Sequence, residues 1–148
     1  MSEEVLEIYT DDAVRALAWC VGAPCVMRTA QGLELPPSHT WGSALEQARP
    51  WLAGLDRDPR PLHEHLAEHR VRKVGFYFEA LLVWWLMWHP DSELLGHNLQ
   101  VREGRRTLGA LDFLVREGDG RAEHWEVAVK FYLRREAGEG WSAWVGPN

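Results

Sequence analysis

Two carboxylates and a lysine in the last third of the chain have the residue types of a metal-dependent hydrolase. Asp112 lies in segment 109–115, and Glu126 and Lys130 lie in segment 124–133; both segments alternate like β-strands. If these strands pair as a hairpin, the three side chains rise from one face of the sheet. Carboxylate oxygens suit Mg²⁺ or Mn²⁺, and a lysine can assist the attacking water and offset charge on a scissile phosphate. The sequence therefore predicts a divalent-metal site with Asp112, Glu126 and Lys130 as catalytic residues.

The spacing of Glu126 and Lys130 restricts the shape of this site. At a rise of about 3.3 Å per residue, their Cα atoms lie roughly 13 Å apart in a strand. Their side chains can converge only over Ala128, with metal, water or phosphate between them. Asp112 and Lys130 taken singly are also ordinary solvent-facing strand residues, and it is their joint placement that indicates a site.

Glu79 is a fourth candidate because it interrupts the most apolar stretch of the chain. Its neighbours one helical turn away are glycine or apolar residues: Gly75, Phe76, Leu82 and Val83. Glutamate is rarely buried in such surroundings unless it is paired or bound to a metal. One interpretation is a structural ion pair with Arg72 or Arg102. The other is a metal ligand that acts together with Asp112 and Glu126.

A competing motif lies in segment 65–69, where His65, Glu68 and His69 have the H-x-x-E-H spacing of inverzincin peptidases. The two histidines lie one helical turn apart and can face one zinc ion, which also needs a third protein ligand. The surrounding residues are polar and equally typical of a solvated helix face. The motif therefore leaves a zinc peptidase as an alternative to the metal site at Asp112 and Glu126, and a solvated helix face is the simpler interpretation.

Length, charge and cysteine content restrict the class of protein. The 148 residues suffice for one domain, 1–148, which we divide into a helical region, 1–70, and a helix-plus-sheet core, 71–148. A formal charge of −6 means that a nucleic-acid partner needs a local basic strip. The acidic N-terminus is unlike a secretory signal, and the apolar run 76–88 is too short to span a membrane. Together with two cysteines that form no metal or disulfide pattern, this predicts a cytoplasmic protein.

Hydrophobic periodicity predicts helices first and strands second. We expect helices from Asp11 or Asp12 to Val21, from Thr40 onward with a break or kink at Pro50, over 62–70 and over 71–88. We expect strands over 95–101, 109–115, 124–133 and 141–145, with a tight connection at 118–120. This order predicts an α+β fold in which N-terminal helices pack on a mixed or antiparallel strand meander. Because the chain stops at a Gly-Pro-Asn turn signal, we expect it to lack a closing helix and strand.

These residues resemble the PD-(D/E)XK phosphodiesterase superfamily, whose core has a helix with a glutamate, a strand with an aspartate, and a strand with an acid and a lysine. More narrowly, the whole chain resembles the bacterial family called domain of unknown function 1853, which is grouped with that superfamily. The matching segments are AVRALAW (13–19), GFYFE (75–79), HNLQV (97–101), GALDFL (109–114), HWEVAVKFYL (124–133) and WVGPN (144–148).

The resemblance implies a restriction-endonuclease-like core and a metal-dependent phosphodiesterase that acts on nucleic acid. It implies Glu79 as the helix glutamate, Asp112 as the metal aspartate, Glu126 as the second acid and Lys130 as the lysine. Two positions differ from the usual pattern: Ala128 replaces the acid two residues before the lysine, and Ala110 replaces a glutamate two residues before the aspartate. These differences favour a second hypothesis, a catalytically inactive nuclease-like domain that binds a protein or nucleic-acid partner.

Overall fold

The computed structural model describes residues 7–25, 40–69, 73–88, 92–136 and 140–146, and within them four α-helices precede the strands. The helices are α1 (Asp12–Gly22), α2 (Thr40–Arg57), α3 (Arg60–Glu68) and α4 (Val74–Trp88). The strands are β1 (Ser92–Glu103), β2 (Arg106–Glu117), β3 (Ala122–Trp125), β4 (Leu133–Arg134) and β5 (Trp144–Val145), with a 3₁₀ helix at Gly140–Ala143. The predicted α+β class is confirmed.

Two aspartates hold the start of α1. The Asp11 carboxylate accepts hydrogen bonds from the Ala13 and Val14 N–H groups at 3.0 and 3.1 Å, so the predicted N-cap is confirmed. Asp56, near the end of α2, accepts from the Thr10 and Asp11 N–H groups at 3.0 and 2.8 Å. Burial raises the pKa of Asp56, but these hydrogen bonds outweigh it and hold the pKa below its ordinary value.

Helix α2 continues across Pro50, so of the predicted break or kink the break does not occur. Proline removes one N–H donor and crowds the preceding turn, which is unfavourable inside a helix. The apolar residues on both sides of it, Leu45, Ala48 and Leu52, are buried against the rest of the core. Their burial keeps the helix continuous where the local sequence alone predicts an interruption.

Helix α4 lies at the centre of the core. Its residues 80–86 are all buried, and it packs against α1, α3 and β1. From the sheet, β2 contributes Phe113 and Val115, which are both fully buried in the same cluster. Within the described ranges, neither α4 nor any other helix has the length and apolar character needed to cross a membrane.

The main sheet is a long β1–β2 hairpin with a short third strand. β1 and β2 pair antiparallel from Ser92↔Glu117 to Glu103↔Arg106, across a two-residue turn of Gly104 and Arg105. β3 pairs antiparallel with β2 only from Phe113↔Trp125 to Arg116↔Ala122. Both hairpin strands are longer than predicted, and the antiparallel meander of the prediction is confirmed for these three strands.

The region after β3 differs most from the prediction. The strand predicted over 124–133 is divided: β3 ends at Trp125, residues 126–132 have no regular secondary structure, and β4 pairs with β5 in a separate sheet. The strand predicted over 141–145 is a 3₁₀ helix followed by β5. The Asp112 carboxylate accepts the Val127 N–H at 3.1 Å. In a continued β2–β3 ladder, a backbone carbonyl of β2 would accept this N–H. Because the Asp112 side chain accepts it instead, the ladder stops and β3 ends.

Candidate functional site

Asp112, His124 and Glu126 lie on one face of the main sheet. Phe113 is buried in the core, so strand alternation places Asp112 and Leu114 on the opposite face. Leu114 pairs with His124, which therefore faces the same way. His124 Nε2–H donates to Glu126 Oε1 at 2.5 Å and so keeps Glu126 on this face. We call Asp112, His124 and Glu126 the outer cluster; His124 was not among the predicted site residues.

Among the described contacts, the Asp112 carboxylate is anchored through one of its two oxygens. Its side chain is half-buried, and Oδ2 accepts the Val127 N–H, which joins β2 to the segment that follows β3. Within the described residues, Oδ1 accepts no hydrogen bond. Glu126 is exposed and contacts His124. Both carboxylates therefore retain oxygen atoms that can bind an added cation.

Lys130 lies in the irregular segment rather than in a paired strand. Exposure alternates as predicted only over residues 126–130, where Val127 and Val129 are half-buried and Glu126 and Lys130 are exposed. Beyond them the prediction is wrong, since Phe131 and Leu133 of the predicted apolar face are 60% and 77% exposed. Lys130 thus shares the solvent-facing side of this segment with Glu126. Among the described residues its ammonium forms no ion pair, so the fold does not bring it into contact with either carboxylate.

Glu79 lies on the other face of the sheet. Its Oε2 atom is 3.4 Å from His97 Nε2 on β1, and the His97 ring lies against Phe113 with ring centroids 4.7 Å apart. Phe113 and Asp112 project from opposite faces of β2. The sheet therefore separates Glu79 from Asp112 and Glu126, and the structure does not bring the three predicted metal ligands together.

The partner of Glu79 is a histidine rather than the arginine considered above. Arg102 donates instead to Gln100 at 2.6 Å, and Arg72 lies outside the described residues. His97 occupies the predicted face of β1 that also carries Leu99 and Val101. A polar ring on an otherwise apolar strand face is the sequence signal that could have identified this partner.

The two histidines of the H-x-x-E-H motif make hydrogen bonds to backbone carbonyls. His65 is buried and donates its Nε2–H to the Ala80 carbonyl of α4 at 2.9 Å; burial lowers the pKa of its imidazole. His69 donates its Nδ1–H to the His65 carbonyl at 2.8 Å, and the two ring centroids are 4.1 Å apart. In the described part of the chain, no group of three or more His, Cys, Asp or Glu side chains is placed to hold a metal ion.

Sequence comparison gives one informative match. A family model described as a domain of unknown function, DUF1853, matches residues 15–148, which include every helix and strand of the described ranges except the first three residues of α1. Neither a curated protein nor a solved structure matches the chain significantly. Because the matched region covers most of the chain, this protein belongs to the DUF1853 family.

Proposed function

We propose that this protein is a metal-dependent phosphodiesterase of the PD-(D/E)XK type that acts on nucleic acid. The proposal includes a restriction-endonuclease-like core, of which the helix α4 and the strands β1–β3 form part. The observation that carries it is the outer cluster, where Asp112 and Glu126 share a solvent-accessible sheet face. Mg²⁺ is often held by one or two carboxylates with water completing its shell, so two acids suffice.

Each residue has a defined role in this proposal. Asp112 and Glu126 hold Mg²⁺ or Mn²⁺, which supplies Lewis-acid stabilisation of the phosphate when bound. His124 orients the Glu126 carboxylate through their hydrogen bond. Lys130, on the same side of the segment, offsets the negative charge that builds as water attacks phosphorus and the ester P–O bond breaks. Glu79 holds α4 against β1 through His97 and is not a ligand.

Titration calorimetry with Mn²⁺ tests the metal site. We expect the wild type to bind Mn²⁺ and Asp112→Asn to bind it at least tenfold more weakly. The asparagine carbonyl can still accept the Val127 N–H, so the fold is retained. Glu64→Gln, which removes one charge from an exposed position of α3, is the matched control and should bind as the wild type does. Absence of wild-type binding, or undiminished binding by Asp112→Asn, contradicts the metal site.

A second candidate function is a non-catalytic domain that binds nucleic acid. It is favoured by the position of Glu79 across the sheet and by the unpaired segment that carries Lys130. Incubation of the wild type with labelled DNA and Mn²⁺ separates the two functions. Cleavage that Asp112→Asn abolishes supports the enzyme, whereas binding without cleavage supports the second candidate.

A further inference from the structure

The β1–β2 hairpin continues beyond the three-stranded part of the sheet as a two-stranded ribbon. β3 pairs with β2 no further than Phe113, and every residue from 98 to 110 is exposed. We call residues 98–110 the arm. Its strands remain paired as far as Glu103↔Arg106, and the turn contains Gly104 with φ of 59°. The arm therefore extends on the order of 15 Å as an ordered element that contributes no buried residue to the core.

The tip of the arm is basic, although the whole chain is acidic. The arm contains three arginines, Arg102, Arg105 and Arg106, against a single acid, Glu103, whereas the formal charge of the chain is −6. Within the described residues, Arg105 and Arg106 form no side-chain hydrogen bond or ion pair. Arg102 donates to the neutral side chain of Gln100, so its charge is not neutralised. This is the local basic strip that a nucleic-acid partner requires.

The shape and charge of the arm together indicate the kind of partner. Guanidinium groups bind phosphate oxygens in a bidentate manner, and arginine stays charged at all physiological pH values. The major groove of B-DNA is about 12 Å wide and admits a two-stranded β-ribbon. The deep, narrow major groove of duplex RNA does not. Gly109, opposite Val101, keeps the ribbon thin on one side.

We infer that the arm inserts into the major groove of double-stranded DNA, with its three arginines on the phosphates. The inference rests on the proposed function, because it names the class of nucleic acid and the element that recognises it. It does not depend on the metal site. DNA binding through the arm should occur without any divalent cation, which allows the two proposals to be tested separately.

Fluorescence anisotropy of a short labelled DNA duplex in EDTA tests the inference. We expect the double variant Arg105→Ala/Arg106→Ala to bind at least tenfold more weakly than the wild type. The slope of log affinity against log salt should fall by about two, one unit for each lost phosphate contact. Arg57→Ala/Arg60→Ala removes two charges from exposed positions of α2 and α3 and should bind as the wild type does. Arg105→Lys/Arg106→Lys should restore most of the affinity.

Several results would overturn the inference. They are absence of wild-type binding, equal weakening by both alanine pairs, and equal affinity for duplex RNA. The last result would mean that the contact is purely electrostatic and does not depend on the width of the groove. Circular dichroism of the arm variant checks that any loss is not due to unfolding. If the protein cleaves single strands with Mn²⁺ but does not bind the duplex, the proposed function is retained and the inference about the arm is wrong.

Discussion

A glutamate–histidine contact lies on each face of the main sheet, but the two contacts have different surroundings. On the inner face, Glu79 contacts His97 at 3.4 Å, and both are about one-third exposed, at 31% and 30%. On the outer face, Glu126 contacts His124, and the exposed fractions are 56% and 38%. The inner pair joins α4 to β1 beside Phe113, whereas the outer pair lies on the same sheet face as Asp112. The same chemistry therefore serves packing on one face and remains accessible to ligands on the other.

The largest effect is expected where the inner face meets the core. Phe113→Ala removes a fully buried ring that contacts His97, and should lower the free energy of unfolding by about 3–5 kcal/mol. Chemical denaturation measures this change. Leu114→Ala, at the neighbouring half-buried position of the outer face, is the control and should cost clearly less. Equal costs at the two positions would show that the faces do not differ in packing.

Substituting an acid on the outer face should weaken Mn²⁺ binding at least tenfold more than substituting one on the inner face, a difference of about 1.4 kcal/mol. Asp112→Asn should lose this much Mn²⁺ affinity, whereas Glu79→Gln should retain the wild-type value because the sheet separates it from the outer cluster. Calorimetric titration of both variants gives the comparison directly. If Glu79→Gln also loses Mn²⁺ affinity, Glu79 is a metal ligand and the two faces do not have separate roles.

A smaller difference is expected in the stability contributed by the two carboxylate–histidine pairs. Glu79→Gln should lower the free energy of unfolding by about 0.5–1 kcal/mol, since its pair is partly buried, while Glu126→Gln should change it by roughly 0.3 kcal/mol or less. Urea titration of the two variants under identical conditions resolves this difference. A larger loss of unfolding free energy in Glu126→Gln would mean that the outer pair, rather than the inner pair, stabilises the fold.

The smallest effect concerns Glu117, at the edge of the inner face. Burial, together with the nearby charges of Glu123 and Asp119, raises the pKa of this carboxyl. Its contribution to stability is therefore complete below the unfolded pKa and is lost as the pH rises through the folded pKa. Glu117→Gln should stabilise the protein at neutral pH by less than about 1 kcal/mol after solvent screening. Thermal unfolding at neutral and acidic pH should show this gain only at neutral pH.

Local patterns in the sequence account for much of the fold. The Asp11 cap, the apolar run of α4 and the alternation around Asp112 each depend on neighbours within a few residues, and all three are found in the structure. Pairing of Asp112 with the His124–Glu126 side of the next strand follows from that alternation and a tight turn. The metal-binding role of these residues stays a prediction.

The amino-acid sequence by itself determined which residues are apolar, which are charged and with what period each recurs, and hence the α+β order and the outer face that carries Asp112. Only the tertiary structure decided that α2 continues through Pro50, that Glu79 meets His97, and that β3 ends where Asp112 binds the Val127 N–H. These three features depend on contacts between residues distant along the chain. Their free energies arise from burial and from competition for hydrogen-bond donors, which periodicity does not encode.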